Sequence, residues 1–125
     1  MRFVLFLKTE ENAPLGPPPP ELMAAIRMLG EEAAKAGVMV DMAALAPSST
    51  GASVRLSGGE ITVTDPIADA KEPVASYAVY ELNSKEEAIE WATKFMNVHK
   101  ENWKGWEGET EIRQLFGPED FAKNQ

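Results

Sequence analysis

Side chains able to do chemistry are few in this 125-residue chain and fall in three places. Asp65 closes an alternating run and precedes Pro66 and a loop carrying Asp69, Lys71 and Glu72. A carboxylate at the end of an internal strand can serve as a general base or a hydrogen-bond acceptor in a cleft. An Asp-Pro pair also starts ordinary turns, the carboxylate accepting from backbone N–H groups two residues on. Arg55 and Arg113 stand in runs that read as internal strands. A buried guanidinium needs a planar acceptor there, for which Asp65, Glu72 or a bound carboxylate would serve, and plain structural pairing is the simpler role. Lys71 and Glu72 are otherwise an exposed, solvated pair.

The third place is the segment around His99, the sole histidine and the only side chain whose ordinary pKa is near neutral. It falls at the end of a predicted helix, where a cationic ring would meet the helix dipole favourably. Trp103 and Trp106 follow in the loop Asn102-Trp103-Lys104-Gly105-Trp106. Two tryptophans there either wall an apolar pocket under the helix end or staple the loop to the core or to a partner subunit. One histidine, no cysteine and scattered carboxylates give no metal-ligand spacing. Neither a phosphate-cradling glycine loop nor a serine or threonine nucleophile signature is visible. No cofactor is therefore expected.

The elements that must position these groups follow from periodicity. Phe3 to Leu7 is apolar at every position, which suits a central strand covered on both faces. Pro17 to Pro20 should be an extended entry into a helix beginning near Pro20, where the missing N–H costs nothing. Leu22, Ile26, Leu29 and Ala33 recur at helical spacing and Gly37 marks the stop, so the first helix spans Glu21 to Ala36. Val38 to Leu45 reads as a strand. Gly58-Gly59 between two alternating runs signals a two-residue hairpin, which pairs Leu56 with Ile61 and Val54 with Val63. Ala75 to Leu82 is another central strand. Ser84-Lys85-Glu86-Glu87 is a capping box opening a second helix, with Ala88, Trp91, Ala92, Phe95 and Met96 as its apolar stripe. Thr110 to Phe116 closes the chain as a final strand.

Residues 1–125 make one domain of ordinary size. The order of elements predicts an α+β fold, a ferredoxin-like layer with an inserted β-hairpin. One layer of helices covers one sheet face only, yet both faces of the central strands look apolar. Two protomers packing sheet to sheet, an isologous homodimer forming a dimeric α/β barrel, would cover the second. Net charge −8 opposes nucleic-acid backbones and anionic lipid. The five apolar residues after Met1-Arg2 are too few for a signal core or a membrane span. A cytoplasmic protein is expected, free of nucleic acid and membrane.

The segment Thr64-Asp65-Pro66-Ile67-Ala68-Asp69-Ala70-Lys71-Glu72 resembles the YCII-related family, specifically its DGPF branch. There a hairpin strand ends in a threonine-aspartate-glycine-proline-phenylalanine turn followed by alanine, an acidic residue and a lysine-glutamate pair. The glycine is missing here and isoleucine replaces phenylalanine. The likeness continues through Ser76-Tyr77-Ala78-Val79-Tyr80-Glu81-Leu82-Asn83-Ser84 and Trp106-Glu107-Gly108-Glu109-Thr110-Glu111-Ile112-Arg113, covering nearly the whole chain. It implies the dimeric barrel, maps Asp65 to the motif aspartate, and places Arg55 and Arg113 where the family tends to carry arginine. Other YCII-type proteins carry a histidine on the first helix opposite an aspartate. Glu21 to Ala36 has none, so that acid-base pair does not transfer.

Two functions fit. One is a homodimeric domain binding a small organic ligand in a cleft near the Asp65–Glu72 loop; its enzymatic version uses Asp65 as base with Arg113 or Lys71 stabilising negative charge. The other is a non-enzymatic regulatory or protein-interaction domain, docking through its acidic surface and the tail Phe116 to Phe121. Resemblance places the latter in a bacterial setting associated with sigma factors.

Overall fold

The computed structural model describes residues 1–10, 15–67 and 73–122. Its elements are β1 (Arg2–Lys8), α1 (Pro20–Lys35), β2 (Met39–Ala44), a 3-10 turn (Ser48–Thr50), β3 (Ser53–Ser57), β4 (Glu60–Thr64), β5 (Val74–Glu81), α2 (Lys85–Asn102), β6 (Glu109–Leu115) and the short α3 (Pro118–Ala122). Each predicted element is present, with ends shifted by one or two residues. The result is a mixed α+β structure.

Four strands form one antiparallel sheet in the order β2-β5-β1-β6, and β3-β4 form a separate two-stranded sheet. The sheet is open, and no closed barrel forms among the described residues. β1 and β5 are the inner strands, which is why Phe3 to Leu7 can be apolar throughout. β6 is an edge strand and β4 belongs to the hairpin. The expectation that Arg113, Arg55 and Asp65 lie on internal strands is therefore corrected. Apolar alternation reports a covered face but not a strand's place in the sheet.

Cross-strand register sorts the faces. Phe3 lies opposite Tyr80, Leu5 opposite Ala78 and Leu7 opposite Ser76, and this row set faces the helices. Phe3, Leu5, Tyr80 and Leu82 pack with Ala33 of α1 and Ala88 and Ala92 of α2 into the core. Three alanines at the contact let the helices approach the sheet closely. Lys94 ties α2 to α1 through Glu32 at 2.8 Å and lies 4.6 Å from the Trp91 ring centre. The other face carries Val4, Phe6, Val79 and Tyr77, with no helix over them. Its margins are polar: Tyr77 donates to Asp41 (3.0 Å), Lys8 meets Glu111 (3.0 Å), Arg113 lies 3.6 Å from Glu111, and Arg2 lies 3.4 Å from Glu81. The Asp41 carboxylate beside it holds the Tyr77 phenol above its ordinary pKa, and the Lys8 ammonium holds the Glu111 carboxyl below its own.

Local signals explain the boundaries. Pro20 is the first residue of α1, preceded by Pro19 in extended geometry, and Gly37 ends the helix region at φ +73°. Ser84 accepts from the Glu87 N–H at 3.2 Å, while the Glu87 carboxylate accepts from the Asn83 N–H at 3.1 Å. Gly58 and Gly59 supply the positive φ of the hairpin turn, and the register pairs Val54 with Val63 and Leu56 with Ile61 as expected. Those four side chains are 63–72% exposed. β2 meets β5 through a register shift between Met39 and Asp41, with Val40 as the extra residue.

Candidate functional site

The C-terminal turns of α2 are where sequence and chemistry converge. The stripe that buries Ala88 and Ala92 continues at helical spacing through Phe95 to His99, so the imidazole points inward and is only 3% exposed. Burial explains the rest of its behaviour. Nδ1 sits 2.9 Å from the Phe95 carbonyl oxygen, which can only accept, so Nδ1 carries the proton and Nε2 is left as an acceptor. Desolvation holds the pKa below its ordinary value, against the smaller opposing effect of that hydrogen bond. The ring is neutral at pH 7. A cationic histidine serving the helix dipole, one of the sequence expectations, is thereby replaced by a neutral one in the interior.

Trp106 lies over the imidazole, ring centres 4.3 Å apart, and the Phe95 ring meets it edge-on at 4.6 Å. Trp103 stacks beyond Trp106 at 6.3 Å. Gly108 makes this possible, since a Cβ there would collide with the Trp106 ring and press on the Lys8 carbonyl. The tryptophan loop thus staples itself to the helix end. It also lines, with Met96 and Lys100, an outer groove of about 380 Å³.

His99 faces a second space. A cavity of about 280 Å³ lies between α1 and the helix-side face of the sheet, near the lower limit of the few hundred cubic ångströms typical of small-ligand sites. Ile26 and Met23 of α1, Met39 and Met42 of β2, Leu7 of β1 and Phe95 of α2 contribute to it. No charged side chain lines it among the described residues. Thr110, also at the wall, directs its hydroxyl to Met96 Sδ at 3.1 Å. Among the described residues no sealed side-chain nitrogen or oxygen lacks a partner, so His99 Nε2, which makes no hydrogen bond to them, is accessible. Tyr80 contributes at the far end of β5, its phenol pushed up in pKa by burial.

Gly30 keeps this space open. It sits inside α1 on the cavity wall, and an added Cβ would meet nothing nearer than Met42 Sδ at 4.0 Å. Glycine in a helix interior costs roughly 1 kcal/mol against alanine, so its presence there was a readable signal that the sequence analysis did not use.

The other predicted residues lie apart. Asp65 is exposed just after β4, ahead of a cis peptide to Pro66. Arg55 is exposed on the hairpin, opposite Thr62, and Arg113 is 71% exposed on the uncovered side of β6. These two arginines belong to different sheets. Lys71, with Asp69 and Glu72, lies outside the described residues. Three of the predicted residues, His99, Trp103 and Trp106, are brought together.

The arrangement also has a family. Residues 1–106 match the YCII-related domain. The chain belongs to the YCII-related family. No curated protein matches it. In this YCII-related domain the match takes in the sheet up to β5, both long helices and the tryptophan loop, while β6 and α3 lie beyond it. No cluster of three or more potential metal ligands exists among the described residues, and no helix is long and apolar enough to cross a membrane.

Proposed function

We propose that this protein binds a small, largely apolar organic molecule in the cavity between α1 and the sheet, with His99 as its polar anchor. One observation carries this reading: a largely apolar cavity is lined by a buried imidazole whose Nε2 has no partner among the described residues. β5, which follows the Asp65–Glu72 segment in sequence, begins at Val74, two residues before Ser76 of the cavity wall. Binding is favoured over turnover because no carboxylate among the described residues lines the cavity. The enzymatic version, with Asp65 as base and Arg113 or Lys71 stabilising charge, is eliminated if Asp65→Asn leaves turnover of any identified substrate undiminished.

The domain is further proposed to be a cytoplasmic homodimer of the DGPF branch, two ferredoxin-like units closing a dimeric α/β barrel. The strand order β2-β5-β1-β6 and the helix-free apolar strip Val4, Phe6 and Val79 support it. A second reading, a protein-interaction domain, is favoured by the exposed rings of Phe116 and Phe121, 6.4 Å apart. A pull-down returning only the protein itself, with and without the residues after Gly117, removes it.

The test of the first reading is a melting-temperature screen against small apolar molecules, since a ligand of the native state stabilises it by RT ln(1 + [L]/Kd). Gly30→Leu places a side chain in the cavity and is expected to abolish every shift. Shifts that survive it would refute the site.

A further inference from the structure

We infer that the cavity is selective for a neutral hydroxyaromatic molecule, whose hydroxyl donates to His99 Nε2. This rests on the reading that the cavity binds apolar molecules and adds the ligand's chemical class. Three observations select it.

The first is direction. The Phe95 carbonyl commits the Nδ1 proton at 2.9 Å, so the ring offers the cavity an acceptor only. A ligand group that also only accepts, such as an ether or ketone oxygen, finds no partner at the imidazole; of the wall hydroxyls, that of Thr110 is already directed to Met96, and those of Ser76 and Tyr80 lie at the two ends of the β5 lining. Placed against the ring, it would leave Nε2 desolvated and unpaired. A hydroxyl donates and is satisfied.

The second is charge. No lysine, arginine, aspartate or glutamate lines the cavity among the described residues, so a carboxylate, phosphate or ammonium would enter without a counter-ion. Protonating His99 to receive an anion is opposed by its burial and by the loss of its acceptor role. The occupant is therefore uncharged.

The third is shape and polarisability. The lining carries three methionine thioethers, Met23 from α1 above and Met39 and Met42 from β2 in the sheet-side floor beside Leu5 and Ala78. Thioether sulfur makes favourable contacts with aromatic ring edges, and flexible methionines adapt to a flat ligand. The lining spans β5 from Tyr80 to Ser76, a length of roughly 13 Å at strand rise, which suits one or two fused rings lying along the strands.

The test uses three probes of one shape: 2-naphthol, naphthalene and 2-naphthoate, titrated into the full-length protein by calorimetry. The expected ranking is 2-naphthol about tenfold tighter than naphthalene, the scale of one hydrogen bond, with 2-naphthoate weakest. His99→Leu should remove the preference for 2-naphthol over naphthalene. His99 is the sole histidine, so its two ring nitrogens give one unambiguous pair of ¹⁵N signals. In wild type these should show the proton on Nδ1, and 2-naphthol should shift only Nε2 strongly. Equal affinity for 2-naphthol and naphthalene overturns the hydroxyl assignment while leaving apolar binding intact. Failure of all three to bind overturns both readings, and tighter binding of 2-naphthoate overturns the neutral class. Should His99→Leu fail to fold, the probe ranking and wild-type ¹⁵N spectra decide without it.

Discussion

The two faces of the four-stranded sheet are made from the same strands by simple alternation, yet they solve opposite problems. Toward the helices, β1 sends Phe3, Leu5 and Leu7 into a core sealed at one end by alanines and left open at the other. Away from them it sends Arg2, Val4, Phe6 and Lys8 toward no helix at all, with ion pairs along the margins. The first face is finished within one chain and keeps only a ligand-sized space. The second is apolar in the middle and polar at the edges, the layout expected of an association surface. The proposed ligand site and the proposed association surface are thus separated by the thickness of one sheet.

The comparison breaks most visibly if the helix side loses its packing. Leu22 is 1% exposed, and Leu22→Ala should cost about 2–5 kcal/mol in denaturant unfolding. A loss below ~1 kcal/mol would mean the helix side is not the stabilising side.

The exposed hairpin gives the next effect. Leu56 is 72% exposed in the single chain, where Leu56→Ser should change stability by no more than ~0.5 kcal/mol. In a dimer that covers the hairpin the same change should cost about 1.5–3 kcal/mol and depend on protein concentration. Light scattering with the unfolding curve separates the two cases, and a monomer at micromolar concentration removes the assembly half of the comparison.

Acid should act through the helix side. The folded-state pKa of His99 lies below its ordinary 6.5, so the unfolded chain binds the proton first as pH falls. His99 therefore contributes its stability fully above about 6.5, and that contribution declines as pH drops toward the lowered value, by at most ~1.4 kcal/mol per pH unit. Phe95 and Trp106, its ring neighbours, carry no charge to offset this. Melting temperature of wild type minus that of His99→Phe should fall across this window; a flat difference would place the ring in water.

Gly30→Ala gives the smallest change and the opposite sign. It should stabilise by roughly 0.5–1 kcal/mol through helix propensity while weakening ligand affinity. Stabilisation without any loss of affinity would move the ligand off α1.

Much of this architecture was readable beforehand, and the reasons differ by element. The hairpin register followed from Gly58-Gly59 because a two-residue turn leaves one pairing. The second helix followed from a capping box whose bonds are local. The position of β6 at an edge was not readable, since edge and centre depend on which distant strand arrives beside it. The site was half legible. His99 and the two tryptophans were grouped correctly by proximity in sequence, but the imidazole was assigned to the helix end when the spacing from Ala92 and Phe95 already placed it inward. Asp65, Arg55 and Arg113 drew attention by residue type, which says nothing of exposure. The cavity itself was invisible because α1 and β2, which wall it, contribute only apolar side chains and a glycine.

The extra residue in β2 has a consequence for how this strand tolerates change in length. Were Val40 held in a regular ladder after Met39, Asp41 would fall opposite Ala78 on the cavity side and Met42 opposite Tyr77. The shift instead sets Asp41 opposite Val79 and Met42 opposite Ala78. Deleting Val40 would leave both of those pairings as they are. Losing Asp41 instead would silence the Tyr77 hydrogen bond. A deletion at Val40 therefore keeps the ladder and its side chains, whereas one at Asp41 keeps Met39 and Met42 on the cavity side but sets a valine where Tyr77 has its carboxylate partner.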